Sequence, residues 1–272
     1  MGYSNRIMNI LQQKAKISRI PLTVNFELLP VCNLNCKMCY IQSSWSDVKN
    51  QGGLKSIEYW INMAKQAKDA GTLCILLTGG EVFLYPHFKE LYVELYKMGF
   101  IITINTNASL IDENVVEWLR QYPPKCVSIS LYGVNNETYE SICGKKGIFS
   151  KVNHAIKLLQ DNHISIECKT ILTPFNYHNL EKCYEYTLQN HINYEVALYS
   201  FPPIRKICPK EFKRFTPKEI SQYTFYRNKV MSTKEQYQKE IIKYLKKYEK
   251  TKTYLEKMQL DLIVVQLILH VG

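Results

Sequence analysis

Short apolar runs rich in Ile, Val, Leu and Thr alternate along the chain with longer stretches of helical periodicity. The apolar runs predict strands, and they span residues 22–28, 73–78, 100–106, 126–131, 164–172 and 194–200. The helical stretches between them span residues 56–70, 86–98, 112–121, 149–162 and 177–189. This alternation predicts an α/β fold whose parallel sheet has helices packed outside it. Both a doubly wound sheet and a barrel fit the pattern.

Residues at the ends of the predicted helices support their placement. Asp112 stands at an N-cap position, where its carboxylate can accept a backbone N–H. Gly71 and Gly99 follow helices at the C′ position, which favours glycine. Pro86 is predicted to open a helix within its first turn.

The alternation ends after Ser200, where Pro202 and Pro203 follow. Thr216 and Glu219 have capping-box spacing and predict the start of a helix, and residues 233–258 predict a long Lys/Glu/Tyr-rich helix. We therefore divide the chain into an N-terminal extension, a core and a C-terminal helical extension: residues 1–20, 21–200 and 201–272.

The formal net charge is +11 in 272 residues, and much of the excess lies between residues 210 and 257. This stretch is typical of a solvated helical face, and no nucleic-acid-binding motif accompanies it, so no nucleic-acid partner is expected. The first 16 residues lack the pattern of a signal peptide. Since the longest apolar run, 262–269, is too short to span a bilayer, the expected location is the cytoplasm, with no membrane partner.

Three of the nine cysteines lie within eight residues, Cys32, Cys36 and Cys39, in a loop that follows the first predicted strand. In a reducing compartment grouped cysteines indicate a metal site, and three thiolates on one loop form a site for a soft metal. Three other cysteines fall on predicted strands at core spacing, where buried thiols are common: Cys74, Cys126 and Cys168.

Structural zinc is the main alternative for the loop, but it prefers four tetrahedral ligands, commonly in paired CxxC elements. No second pair is present in the sequence, and none of the six histidines lies in the loop. An iron–sulfur cluster held by three cysteines, in contrast, keeps one iron open to a small molecule.

The CxxxCxxC loop after the first strand, followed by Gly79-Gly80-Glu81 at the end of the second, resembles the radical SAM superfamily over residues 20–200. The resemblance implies a partial (β/α)6 TIM-like barrel. It further implies that Cys32, Cys36 and Cys39 ligate a [4Fe-4S] cluster whose fourth iron binds S-adenosyl-L-methionine. Reductive cleavage of that cofactor gives a 5′-deoxyadenosyl radical, which abstracts hydrogen from the substrate.

The resemblance also implies a set of cofactor-binding residues, without identifying a catalytic residue: Met38, Gly79, Gly80, Glu81, Asn107, Ser130 and Thr170. The glycines would let backbone approach the ligand closely, and Glu81 would help to receive the methionyl ammonium. A Ser or Thr on a buried strand more often simply bonds to backbone. Several relatives place an arginine for the methionyl carboxylate after the position of Tyr132; here Lys145 or Lys146 would substitute.

The segments LLTGGEVFLYPHFKELY and SISLYGVNNETYE resemble the branch of the superfamily that carries a C-terminal SPASM domain. Many members of that branch modify ribosomal peptides, so a peptide or protein substrate is implied, with flavodoxin or ferredoxin as electron donor. Only Cys208 follows Ser200, whereas SPASM domains bind auxiliary clusters through many cysteines, so we expect a chain truncated before that domain. A non-catalytic, degenerate barrel and a structural zinc site are the alternatives.

Overall fold

The computed structural model describes residues 2–41, 43–202, 213–239 and 241–243, with side chains from residue 9 onward. Six strands form one sheet: β1 (Thr23–Glu27), β2 (Cys74–Thr78), β3 (Ile101–Thr106), β4 (Cys126–Ser130), β5 (Ile166–Ile171) and β6 (Asn193–Ala197). The α-helices are α1 (Gly2–Ser18), α2 (Trp45–Asn50), α3 (Ile57–Asp69), α4 (Phe88–Lys97), α5 (Glu113–Gln121), α6 (Asn136–Cys143), α7 (Ile148–Asp161), α8 (Leu180–Gln189) and α9 (Pro217–Met231).

The strands lie in the order of the sequence, β1-β2-β3-β4-β5-β6, and every neighbouring pair is parallel. Within the described part of the chain β1 and β6 each pair with one neighbour, so the sheet curves without closing. This topology is the predicted partial (β/α)6 barrel. All six strands therefore direct their carboxyl ends to the same rim, where the functional loops of such barrels lie.

All five helices predicted between the strands are present, with shifted ends. The helix predicted at 86–98 begins two residues later than expected. Its first residue is Phe88 and its N-cap is His87, so Pro86 lies before the helix. The helix predicted at 177–189 is split into a 3₁₀ turn, Tyr177–Asn179, and α8. Helices α1, α2 and α6 were not predicted, since each is short or weakly periodic.

The predicted helix ends are otherwise confirmed. The Asp112 carboxylate accepts the backbone N–H of Val115 at 2.9 Å, and Gly71 and Gly99 adopt φ of 93° and 85° directly after helix caps. Thr216 caps α9 in a capping box with Glu219. Residues 234–239 and 241–243 are helical, and the remainder of the helix predicted at 233–258 lies outside the described residues.

The main core lies between the sheet and the outer helices. Its strand residues, such as Leu77, Ile104 and Ile129, are fully buried. Along β2 and β3 the buried residues alternate with more exposed ones that face the inside of the barrel. Of the cysteines predicted to be buried thiols, Cys168 is buried, whereas Cys74 and Cys126 are only half-buried.

A second apolar cluster joins the end of the sheet to α9. Leu172, Val196 and Phe215 form its centre, and Tyr223 of α9 packs against it. None of the helices in the described ranges combines the length and apolar character needed to cross a membrane.

Candidate functional site

A cavity of about 280 Å³ opens at the carboxyl ends of the strands. The residues that line it come from the loop after β1 and from the ends of β2 to β6: Cys32, Leu34, Cys36, Met38, Cys39, Tyr40, Ile41, Thr78, Gly79, Gly80, Asn105, Thr106, Asn107, Ser128, Ser130, Tyr132, Lys169, Thr170, Ile171, Glu195 and Ala197. All three loop cysteines and six of the seven predicted cofactor residues are therefore brought together. The exception is Glu81.

The Gly-Gly turn after β2 holds the start of the cysteine loop in place. The Gly80 N–H donates to Leu29 O at 2.6 Å and the Glu81 N–H to Val31 O at 2.9 Å. A Cβ on Gly79 would lie 2.5 Å from Leu29 O, and one on Gly80 would overlap the main chain of Val31. The close approach that these glycines permit is thus between two segments of backbone, directly before Cys32. The turn touches the cavity, but its main effect is to position the loop.

The first loop cysteine is fixed by polar contacts. The Leu34 N–H donates to Cys32 Sγ at 3.4 Å, and the Asn107 side-chain amide approaches the same sulfur at 3.6 Å. Burial raises the pKa of the Cys32 thiol to about 12, and nearby Glu81 adds to the rise. A metal must therefore displace a proton from Cys32, while the two N–H groups are placed to stabilise the resulting thiolate.

Asn107 ties the cysteine loop to the end of β3. Its amide donates to Asn33 Oδ1 at 2.9 Å, and its Oδ1 accepts the backbone N–H and the hydroxyl of Ser109 at 2.9 and 2.7 Å. Asn33 in turn donates to Ser109 Oγ at 2.8 Å. The predicted cofactor residue Asn107 does line the cavity, but its polar atoms are occupied in this network and act on the loop.

Glu81 lies behind the cavity wall, fully buried. Its carboxylate accepts the Thr106 hydroxyl at 2.6 Å, the Asn107 N–H at 2.8 Å and the Phe83 N–H at 3.3 Å. Burial raises the pKa of this carboxyl, although the three donors oppose the rise. The carboxylate braces the ends of β2 and β3 and does not line the cavity, so its contact with a methionyl ammonium stays a prediction.

Replacing Glu81 with glutamine is expected to lower the free energy of unfolding by about 1–3 kcal/mol, because the amide nitrogen meets a buried donor. Since the folded chain holds the Glu81 proton more tightly than the unfolded chain, raising the pH ionises the unfolded chain first and weakens the wild type. The wild-type advantage over Glu81→Gln should be largest near about pH 4 and shrink towards about pH 7. Urea unfolding at both pH values measures this, and a growing advantage would contradict it.

The remaining predicted cofactor residues differ in whether their side chains already have partners within the chain. Met38 is buried and lines the cavity. The Ser130 side chain contacts the phenol of Tyr132. The Thr170 hydroxyl donates to Leu131 O and accepts from the Tyr194 hydroxyl at 2.8 Å. Like many threonines on buried strands, it thus forms a hydrogen bond with a backbone carbonyl.

Among the described residues that line the cavity, Lys169 is the cation, although no sequence motif points to it. Its Nζ lies 3.0 Å from Glu167 and 3.2 Å from Glu195. Burial opposes a charge here, yet the two carboxylates raise the pKa of Lys169, so the ammonium stays protonated. The period of two along β5 places residues 167, 169 and 171 on one face, and that signal could have identified Lys169.

Lys145 and Lys146, expected to substitute for the missing arginine, do not line the cavity. Both are exposed between α6 and α7, and Lys146 Nζ lies 3.8 Å from Glu140. The described residue that can offer a cation to a carboxylate in this cavity is Lys169. Cys208 lies outside the described residues.

One polar atom of the cavity wall lacks a partner. Among the described residues no donor reaches Asn105 Oδ1, although this oxygen is buried. Buried acceptors normally accept a hydrogen bond, so Asn105 is suited to a ligand that carries donors. The described side chains include no group of three His, Cys, Asp or Glu residues already arranged to hold a metal ion.

Comparison with known proteins identifies the family. A model of the radical SAM superfamily matches residues 26–186, and the chain belongs to this superfamily. The subtilosin biosynthesis protein AlbA of Bacillus subtilis (strain 168) is 36% identical over 148 residues, which are 54% of this chain and 32% of AlbA. The sporulation killing factor maturation protein SkfB of the same strain is 31% identical over 149 residues, 55% of this chain and 35% of SkfB.

The fold is similar to that of SuiB from Streptococcus suis, with a TM-score of 0.63 at 20% identity over 82% of this chain and 50% of SuiB. SuiB has also been crystallised with its precursor peptide SuiA. The chain spans about a third of the length of AlbA and of SkfB.

Proposed function

We propose that this chain binds a [4Fe-4S] cluster through Cys32, Cys36 and Cys39 and cleaves S-adenosyl-L-methionine there to abstract hydrogen from a substrate. The observation that carries the proposal is the convergence of the three loop thiols on one cavity at the carboxyl rim of the barrel. When bound, the cluster and S-adenosyl-L-methionine supply the 5′-deoxyadenosyl radical. The role of the chain is to hold both in register and to exclude water.

The cavity residues fit these groups by their chemistry. Asn105 Oδ1 is a buried acceptor without a protein partner, suited to a hydroxyl or amino group. Lys169 offers a cation to the methionyl carboxylate, and Met38 offers an apolar, polarisable contact to the adenine. Ser130, at the end of β4, provides a hydroxyl beside Tyr132.

We further propose a peptide or protein substrate. The relatives AlbA and SkfB are named for bacteriocin biosynthesis and killing-factor maturation, and SuiB has been crystallised with a precursor peptide. The reductant would be an external one-electron donor such as flavodoxin or ferredoxin, and the reaction would take place in the cytoplasm.

A structural zinc site is the second candidate, because the structure adds a fourth thiol to the loop. The side chain of Cys143 hydrogen-bonds with Cys36, and four cysteines can complete a tetrahedral zinc site. Metal analysis separates the two candidates: the proposed function requires iron and sulfide, and zinc without sulfide would replace it.

The test is formation of 5′-deoxyadenosine by the anaerobically reconstituted chain with S-adenosyl-L-methionine and dithionite. Replacing Lys169 with methionine is expected to weaken S-adenosyl-L-methionine binding about tenfold, through loss of one charge-assisted hydrogen bond. Lys151→Met, on the exposed side of α7, is the matched control and should bind normally. A reconstituted wild type that forms no 5′-deoxyadenosine would refute the proposed function, and unchanged binding by Lys169→Met would refute only the lysine's role.

A further inference from the structure

Two exposed lysines stand in a tight turn beside the cysteine loop. Lys145 and Lys146 lie between α6 and α7 and do not line the cavity. A glycine in the left-handed conformation closes the turn on each side, Gly144 with φ of 68° and Gly147 with φ of 70°. Glycine adopts this conformation without steric cost. The turn therefore presents both lysines at a defined place on the surface.

The end of α6 that leads into this turn packs on the outer side of the cysteine loop. The Asn35 N–H donates to Cys143 O at 3.0 Å. The Lys37 N–H donates to Ile142 O, also at 3.0 Å. These bonds join the last two residues of α6 to the two residues that flank Cys36. The turn and the loop are thus parts of one surface, with a predicted cluster ligand directly behind it.

A third lysine belongs to the same surface. Lys37 is exposed, and its Nζ lies 5.7 Å from the centre of the Phe175 ring, in a cation–π contact. The side chain of Lys146 is 87% exposed, and its Nζ lies 3.8 Å from Glu140. An exposed ion pair of this kind is weak. Within the described chain, the positive charge of the three lysines is therefore only partly compensated.

The cluster has to receive its electron from outside the chain. In the proposed function the cavity holds S-adenosyl-L-methionine and the substrate, so a protein donor cannot approach through its mouth while both are bound. On the outer side of the loop, the exposed residues Asn35 and Lys37 directly flank Cys36. Building on the proposed function, we propose that Lys37, Lys145 and Lys146 form the docking surface for an acidic electron-carrier protein.

Charge complementarity defines the chemistry of this partner. Attraction between a positive and a negative surface raises the rate of encounter by about 10- to 1,000-fold and orients the partners, and both effects weaken as salt is added. An acidic carrier bound over the lysine turn lies beside the loop that holds the predicted ligands. One electron then passes from the carrier, which is oxidised, to the cluster, which is reduced, and no bond forms or breaks.

The test compares the reconstituted wild type with Lys145→Glu/Lys146→Glu and with a control of equal charge change, Lys65→Glu/Lys89→Glu. Lys65 and Lys89 are exposed on α3 and α4, outside the sheet. Lys37 is left unchanged because it adjoins Cys36. The probe is flavodoxin. Calorimetry with its oxidised form gives the dissociation constant, and its hydroquinone form serves as the sole reductant for 5′-deoxyadenosine formation.

We expect Lys145→Glu/Lys146→Glu to bind flavodoxin at least about tenfold more weakly at low salt and to be reduced by it correspondingly more slowly. The difference should shrink towards about 1 M salt, where the screening length falls to about 3 Å. Lys145→Arg/Lys146→Arg should behave as the wild type, since arginine keeps the charge. Iron content and the rate with dithionite, a small reductant that needs no docking surface, should be unchanged in every variant.

Four results would overturn the proposal. The wild type could fail both to bind flavodoxin and to be reduced by it, or Lys145→Glu/Lys146→Glu could match the wild type in both respects. An equal loss in Lys65→Glu/Lys89→Glu would assign the effect to net charge, and an equal loss with dithionite would assign it to the loop or the cavity. A wild type that forms no 5′-deoxyadenosine even with dithionite refutes the proposed function instead and is recognised before any variant is compared.

Discussion

Replacement of Cys32, Cys36 and Cys39 together by alanine is expected to reduce iron and sulfide to background after anaerobic reconstitution. The wild type should bind about four irons per chain, the content of one [4Fe-4S] cluster. The variant retains no loop thiolate, and neither Asn107 nor the backbone N–H groups around Cys32 can ligate iron. Iron and sulfide assays, with the visible absorption of the cluster, measure the loss.

Cys74→Ala is the matched control, because Cys74 is a half-buried cysteine at the start of β2, at the other end of the strands from the cavity. It should keep the full iron content. Single replacement of Cys36 is a less decisive experiment than the triple variant, since Cys143 lies beside it and offers a substitute thiol. Wild-type iron and sulfide in the triple variant would contradict the assignment of the cluster to this loop.

Replacement of Gly80 by alanine is expected to cost at least about 3 kcal/mol of unfolding free energy, at the upper end for overpacking. The new Cβ overlaps the main chain of Val31 and lies 2.9 Å from the carbonyl carbon of Pro30. Main chain cannot rotate away as a side chain can, so residues 29–31 must move and carry Cys32 with them. Urea unfolding and iron content should both fall.

Gly99→Ala provides the control for this prediction. Gly99 has a positive φ of 85°, but a Cβ there meets no atom within 4 Å. The left-handed conformation alone costs about 1–2 kcal/mol, and iron content should be unchanged. A Gly80→Ala variant as stable as Gly99→Ala, with wild-type iron, would show that the loop does not depend on this close approach.

The six strands were predicted from the sequence because each carries a strong local signal. Runs such as Cys74–Thr78 are β-branched or apolar and end in Gly-Gly or Asn, and parallel pairing follows from the intervening helices. The choice of a barrel over a doubly wound sheet came from the resemblance of the cysteine and glycine motifs, since periodicity is the same in both. Helix α6 was not predicted because its eight residues carry little amphipathic pattern.

The positions of the candidate site residues could be predicted from the sequence more readily than their contacts. Glu81 and Asn107 follow their strands and so had to lie near the rim, but sequence does not show that their polar atoms are saturated by Thr106, Phe83 and Ser109. Lys169 and Cys143 were missed for a related reason. Their contacts with residues distant in sequence, Glu195 and Cys36, form only in the packed structure, although the period of two along β5 already places Lys169 on the inner face of the sheet.

The measurement that tests the central claim most directly is the electron paramagnetic resonance spectrum of the dithionite-reduced, reconstituted chain, recorded with and without S-adenosyl-L-methionine. A cluster held by Cys32, Cys36 and Cys39 keeps one iron open, so the cofactor should change the spectrum of the wild type. The Cys32/Cys36/Cys39→Ala variant should give no cluster signal in either condition. A wild-type spectrum that is the same with and without S-adenosyl-L-methionine, from a chain that contains its full iron, would contradict the account.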